Sequence, residues 1–229
     1  MAAGATTETS MRRDAVAIGV AAGAYAVSYG VLAVSAGLSV AQTCAMSVLV
    51  FTGATQFAVV GVLGAGGSIG AALGPGLLLA ARNAVYGVAL ARILRGGRAA
   101  RAVKAQFVID ETTAMARARE DPREAERAFL ATGFSVFVCW NVGSLAGALI
   151  GSGIGDVRDY GLDAMFPAAF LALLSPQLRR PGAPVTAVAG ALVAVALVPF
   201  VPAGVPILAA LAGLIPGMLS LRRAPQDAS

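Results

Sequence analysis

Val40 to Gly64 reads VAQTCAMSVLVFTGATQFAVVGVLG, 25 residues without a charged side chain. Crossing the hydrocarbon core of a bilayer takes roughly 20 mainly apolar residues of α-helix, and this run is long enough. Working outward from it, six further runs of the same kind appear: Asp14 to Ala36, Ser68 to Leu94, Phe129 to Gly151, Ala164 to Leu178, Val185 to Val201 and Gly204 to Leu221. The 229-residue chain is 58% hydrophobic and 13% charged, against about 45–50% and 25% for soluble domains. Backbone groups in lipid must be satisfied internally, and runs of this length do so as helices. The expected fold is all-α: a polytopic integral membrane helical bundle of about seven spans, six to seven, in the lipid bilayer.

Charge placement organises these runs. A polar tail covers residues 1–13, the first membrane helices 14–94, a charged insertion 95–128, the C-terminal membrane helices 129–221 and a short tail 222–229. From Arg95 to Arg127 the insertion carries eight basic and six acidic residues, which places it on the cytoplasmic side. From there Asp156, Asp159 and Asp163 fall outside, and Arg179-Arg180 and Arg222-Arg223 inside. Toward the N-terminus the parity fails, because three full crossings put Arg12-Arg13 outside, against the charge rule. Either the N-terminus is external or one of the first three runs does not cross fully; the reading adopted is an external N-terminus with seven spans. Arg12-Arg13 ahead of an apolar run resembles a secretory leader, but the run is too long and too rich in Tyr25, Ser28 and Tyr29 to be one.

Composition also removes chemistries. With no histidine, imidazole metal ligation, a Ser-His-Asp triad and histidine proton relays are excluded within this chain. Cys44 and Cys139 sit inside apolar runs as small hydrophobes, so no metal site and no cofactor is expected. The net charge of +5 comes from cations at the ends of apolar runs, so no nucleic-acid partner is expected. Gly64 to Ser68 and Gly151 to Gly155 lack the Walker lysine and dinucleotide spacing; the chain is not read as an enzyme.

Polar residues inside spans are expensive and default to functional positions. In the second run, helical spacing sets Ser47, Phe51 and Thr55 on one stripe and Thr52 and Gln56 beside it. Arg82 lies mid-segment and needs a carboxylate from the protein or from a substrate, while Tyr86, four residues on, shares its face. Trp140 walls a cavity from the fourth run. Gly74-Pro75-Gly76 interrupts the third run and predicts a broken span, whose half-helix start aims a positive dipole end at an anion. In the insertion, an amphipathic cytoplasmic helix sets Val103, Phe107, Asp110, Glu111 and Ala114 on one side, bringing acids to a cation, an ammonium or a transported proton. Glycines four apart, Gly19/Gly23, Gly66/Gly70/Gly74, Gly143/Gly147/Gly151 and Gly213/Gly217, mark packing surfaces.

These residues together resemble the AzlC family, large subunits of bacterial branched-chain amino acid exporters. The resemblance rests on Ser28-Tyr29-Gly30, Gly37-Leu38-Ser39 and, most specifically, Met46-Ser47 through Phe51-Thr52-Gly53-Ala54-Thr55-Gln56-Phe57. It continues at Arg82 with Tyr86, Asp110-Glu111, Trp140, Gly161-Leu162-Asp163, Pro167, Phe170 and Pro176. Ala80 and Asn83 depart from the family's Asn-x-Arg-His pattern and leave substrate identity open. The resemblance implies a multi-pass protein of the bacterial plasma (inner) membrane. It also implies export of valine, leucine and isoleucine, in some relatives methionine, by alternating access with a small AzlD-type membrane subunit.

The expected scheme has Arg82 or the helix start after Pro75 meeting the substrate carboxylate, and Asp110, Glu111 or backbone carbonyls the ammonium. Ser47, Thr52, Thr55 and Gln56 orient the zwitterion, Phe51, Phe57 and Trp140 enclose its side chain, and Tyr86 adds a hydroxyl. Asp110, Glu111, Pro75 and Asp163 are the expected coupling or gating positions. The alternative is a structural or assembly subunit of a membrane complex without a substrate path of its own.

Overall fold

The computed structural model describes residues 2–153, 168, 171 and 174–223, with side chains from Glu8 to Arg222. Every regular element among them is helical: α1 Ala2–Ser35, α2 Val40–Leu49, α3 Gly53–Gly64, α4 Ile69–Leu90, α5 Arg98–Ala105, α6 Asp110–Arg117 and α7 Pro122–Gly153. After Gln177–Arg179 come α8 Ala183–Leu197, α9 Val205–Ala209 and α10 Leu214–Arg223, the last two joined by a 3-10 turn. Two compact units result, Met1–Phe57 with Gly76–Gly155, and Ala58–Pro75 with Asp156–Ser229. Four described helices are long and apolar enough to cross a membrane, within Glu8–Ser35, Ile69–Leu90, Pro122–Gly153 and Val205–Arg222.

The frame of the first unit is a seam between α1 and α7. Gly19 lies against Ser135, Gly23 against Cys139, Gly30 against Ser144 to Ala148, and Gly151 against Val31. Residue numbers rise together, so the two helices are parallel. A Cβ on Gly143 or Gly147 would strike the carbonyls of Gly23 and Val27; only glycine lets the backbones come this close.

A parallel seam overturns the expected topology. Arg12 and Arg127 line one surface groove at a common end of the unit, so the N-terminus and the insertion share a side. Arg12 and Arg13 thus lie with the insertion's cations at one end of the unit, the distribution that the charge rule favours. An N-terminus on the side opposite the insertion is not the arrangement observed.

The Val40–Gly64 run folds back on itself. Ser39 and Gln42 form a reciprocal cap at the start of α2. The helix ends at Leu49, and α3 begins at Gly53. Ten residues of uninterrupted helix would separate Met46 from Gln56 by about 15 Å. Instead, Gln56 Nε2 donates to the Val50 carbonyl at 2.7 Å and the Met46 carbonyl at 3.3 Å. The Thr52 N–H turns back to the Val50 carbonyl at 2.7 Å. Phe57 then meets the rings of Tyr25 and Tyr29, with centroids 4.9 and 6.0 Å away, while the Tyr29 hydroxyl donates to the Thr43 carbonyl. Residues 50–52 are thus the tip of a hairpin between α2 and α3, while α4 is long and apolar enough to cross a membrane.

The break expected at Gly74-Pro75-Gly76 is absent: α4 is continuous with Pro75 inside it. Proline has no N–H, so the carbonyl four residues earlier loses its helical donor. That carbonyl belongs to Ala71, and Gly204 comes so close that a Cβ there would stand 2.5 Å from it. Close protein backbone at the freed carbonyl accompanies a proline that stays helical. The same second unit packs Gly213 against Gly190 and Thr186, and Gly217 against Thr186. Asp163 and most of the Ala164 to Leu178 run lie outside the described residues.

The insertion is two helices rather than one. Between α5 and α6, the Thr112 hydroxyl donates to the Phe107 carbonyl at 2.7 Å and accepts the Ile109 N–H at 3.1 Å, closing the turn. The expected single face is accordingly split. Val103 is 65% exposed, whereas Phe107 docks on α7 where Gly133 leaves no Cβ in its way. Lys104 pairs with Glu126 and donates to the Arg95 carbonyl, tying α5 to the foot of α7. Leu90, Leu94, Val108, Ala116, Ala125 and Phe129 form the apolar core beneath.

Candidate functional site

The polar stripe of the second run comes together around the hairpin. Ser47 Oγ donates to Ser144 Oγ at 3.0 Å, and both residues are fully buried. Trp140 Nε1 donates to Gln56 Oε1 at 2.9 Å. The Gln56 amide thus gives its two hydrogens to the Met46 and Val50 carbonyls, each of which also accepts a backbone N–H, and its oxygen to an indole. Gly53 leaves room for that indole, since a Cβ there would lie 2.6 Å from Trp140. Phe51 stands edge-on to Phe107 and Phe137, with centroids at 6.3 and 5.1 Å. Thr55 is buried with a hydroxyl that has no protein partner. Ser47, Gln56 and Trp140 therefore spend their polar groups on the protein in this conformation.

A second constellation joins α4 to the insertion. Arg82 Nη1 lies 2.9 Å from Asp110 Oδ2, so the carboxylate that an intramembrane cation requires comes from the first residue of α6. The pair is half-exposed, at 38% and 43%. Arg82 Nε, Asp110 Oδ1, Asn83 Oδ1 and Thr113 Oγ1 are shielded from solvent and have no protein partner. Next to Asp110, Glu111 is partly exposed as a residue, with protein packed around its carboxyl. Desolvation pushes its carboxyl above the ordinary 4.5, its own backbone N–H opposing, Asp110 reinforcing and Arg82 opposing. Tyr86 packs on the apolar core beneath α4.

A groove of about 430 Å³ opens at Asn83, the residue after Arg82 on α4. One wall is the hairpin tip from Leu49 to Thr52, a second is Asn83, Ala84 and Gly87 of α4, and the third is Ala105, Gln106 and Val108. Gln106 Nε2 donates to the Val48 carbonyl at 2.7 Å, linking the insertion to the hairpin. Of the groove's lining, sequence reasoning singled out Phe51 and Thr52 as site residues but passed over Asn83, Gly87 and Gln106, while Arg82 and Asp110 do not line it. An amide beside an intramembrane arginine was the signal for Asn83; nothing local marks Gln106. Among the described residues no group of three or more Cys, Asp or Glu gathers as a metal site.

Several apolar helices of crossing length define a multi-pass helical membrane protein. The family model described as AzlC protein matches residues 17–154, a stretch that contains the hairpin, Arg82, the insertion and Trp140, and the chain belongs to that family. A relative is the inner membrane protein YgaZ of Escherichia coli (strain K12), 31% identical over 207 residues that cover 85% of this chain and 81% of that protein. The chain is a multi-pass protein of the bacterial inner membrane. No solved structure matches it.

Proposed function

We propose that this chain is the large subunit of a secondary exporter of branched-chain amino acids, working with a small AzlD-type membrane subunit. The observation that carries the reading is the Arg82–Asp110 pair, with Arg82 Nε and Asp110 Oδ1 lacking protein partners, next in the chain to Asn83, which lines a mainly apolar groove. A zwitterion offers each member of such a pair a replacement: its carboxylate for Asp110 at Arg82, its ammonium for Arg82 at Asp110. The exchange keeps both protein charges compensated, which matters where water is scarce. An aliphatic side chain then needs the apolar walls. Discrimination among valine, leucine and isoleucine is expected to be loose, because one methylene in an apolar pocket is worth only about 1–3 kcal/mol. Opening of the pair on substrate arrival would couple occupancy to alternating access, driven by the proton gradient or by the outward amino acid gradient.

The test is efflux of preloaded labelled valine from cells expressing this chain with and without the small subunit encoded beside it. Efflux that requires both chains supports the reading. Loss of specific efflux of valine, leucine, isoleucine and methionine alike, with both chains assembled, rejects it.

A further inference from the structure

Resting on the transport reading, we infer that the groove between the hairpin tip and α4 is the side-chain pocket, and that Gly87 sets the largest side chain it accepts. Asn83 takes the ammonium end. On α4, Asn83, Ala84 and Gly87 face the groove, the spacing of one helix face. A Cβ built on Gly87 meets nothing within 4 Å, so no packing demand explains a helix-weakening glycine there. Its use is the space itself. The seam glycines form the contrast, since their Cβ positions are filled by a neighbouring backbone.

The polar side chains around the groove suit a zwitterion rather than a lipid tail. Asn83 lines it, and Arg82, the residue before Asn83, pairs with Asp110, two residues past Val108 of the opposite wall; Asn83 Oδ1, Asp110 Oδ1 and Arg82 Nε are shielded atoms without a protein partner, free to turn to a ligand. Two acceptors suit an ammonium and one donor a carboxylate. Leu49, Val50, Phe51 and Val108 supply apolar walls. Around 430 Å³ falls within the range of small-ligand sites.

The experiment compares efflux of labelled leucine and labelled alanine from cells holding both subunits, for the native chain, Gly87→Ala and Gly87→Leu. Alanine favours the helix and meets no neighbour, so Gly87→Ala is expected to assemble, as checked by chromatography in detergent. The leucine-to-alanine efflux ratio should fall stepwise, by about tenfold or more at Gly87→Leu. Asn83→Leu should raise the half-saturating concentration for both amino acids with little change in their ratio. An unaltered ratio in an assembled Gly87 variant, while the native chain exports leucine, overturns the pocket and leaves a lipid-facing groove. A native chain that exports neither amino acid removes the transport reading, and the pocket with it.

Discussion

The α1/α7 seam and the hairpin–α4–insertion junction lie in one unit and are built on opposite principles. At the seam, glycines bring two helices together over several turns, and a Cβ on Gly143 or Gly147 would overlap a facing carbonyl. At the junction, a helix is interrupted, a guanidinium meets a carboxylate, and four shielded polar atoms lack protein partners. The seam has one low-energy arrangement. The junction has polar capacity left over, which a ligand or a second conformation can use. Reading the two together assigns the seam to holding the frame and the junction to binding and movement.

The largest expected effect breaks the seam. Gly147→Leu drives a side chain into the Val27 backbone, and no rotamer change relieves backbone overlap. Folded, monodisperse protein should be lost, as measured by size-exclusion chromatography in detergent. A normal yield would mean that α1 and α7 are not packed in parallel register.

At the junction, Arg82→Gln should leave the protein assembled while valine efflux falls by about tenfold or more, the scale of a lost charged hydrogen bond. Retained efflux in the assembled variant would exclude the carboxylate role of Arg82. Gln56→Leu tests whether the hairpin tip is held as described. It strips donors from the Met46 and Val50 carbonyls and an acceptor from Trp140, and should cost about 2 kcal/mol of stability, read as a lowered unfolding midpoint. Trp140→Phe removes one of these bonds and should cost about 1 kcal/mol.

The smallest effect concerns pH. Desolvation raises the Glu111 carboxyl above 4.5. A carboxyl raised on folding favours the folded state below its unfolded value, and that contribution is lost as pH rises through the folded value. Stability should therefore decline as pH climbs from 4.5 through that raised value, and Glu111→Gln should flatten the decline. An identical pH profile in the variant would remove Glu111 from any proton-linked step.

Much of the frame was legible in the sequence, and the location of the break was not. Apolar runs gave the helices, four-residue glycine spacings gave the packing faces, and the isolated Arg82 announced a carboxylate partner. Gly74-Pro75-Gly76 looked like the interruption because proline and glycine are local helix breakers. The helix nevertheless runs on through Pro75, and Gly204, far away in sequence, lies close beside the Ala71 carbonyl that the proline leaves without a helical donor. Val50-Phe51-Thr52 contains no breaker, and its turn is held by Gln56 and, across 84 residues, by Trp140. Bonds of that range leave no periodicity to read. The parity conflict around Arg12-Arg13 was the sign in the sequence that the first three runs are not three simple helices, as the hairpin between α2 and α3 bears out. Asn83 and Gln106 escaped for the same reason, since what gives them a place is the meeting of three separate segments.

The account's central claim is that the Arg82–Asp110 pair binds rather than merely braces, and a charge exchange tests it most directly. The double variant Arg82→Asp/Asp110→Arg keeps an ion pair between α4 and α6 but reverses its direction relative to the groove. Valine efflux is predicted to stay lost while chromatography shows a restored, assembled protein. Efflux returning to the native level in that variant would contradict the binding role and make the pair a structural strut.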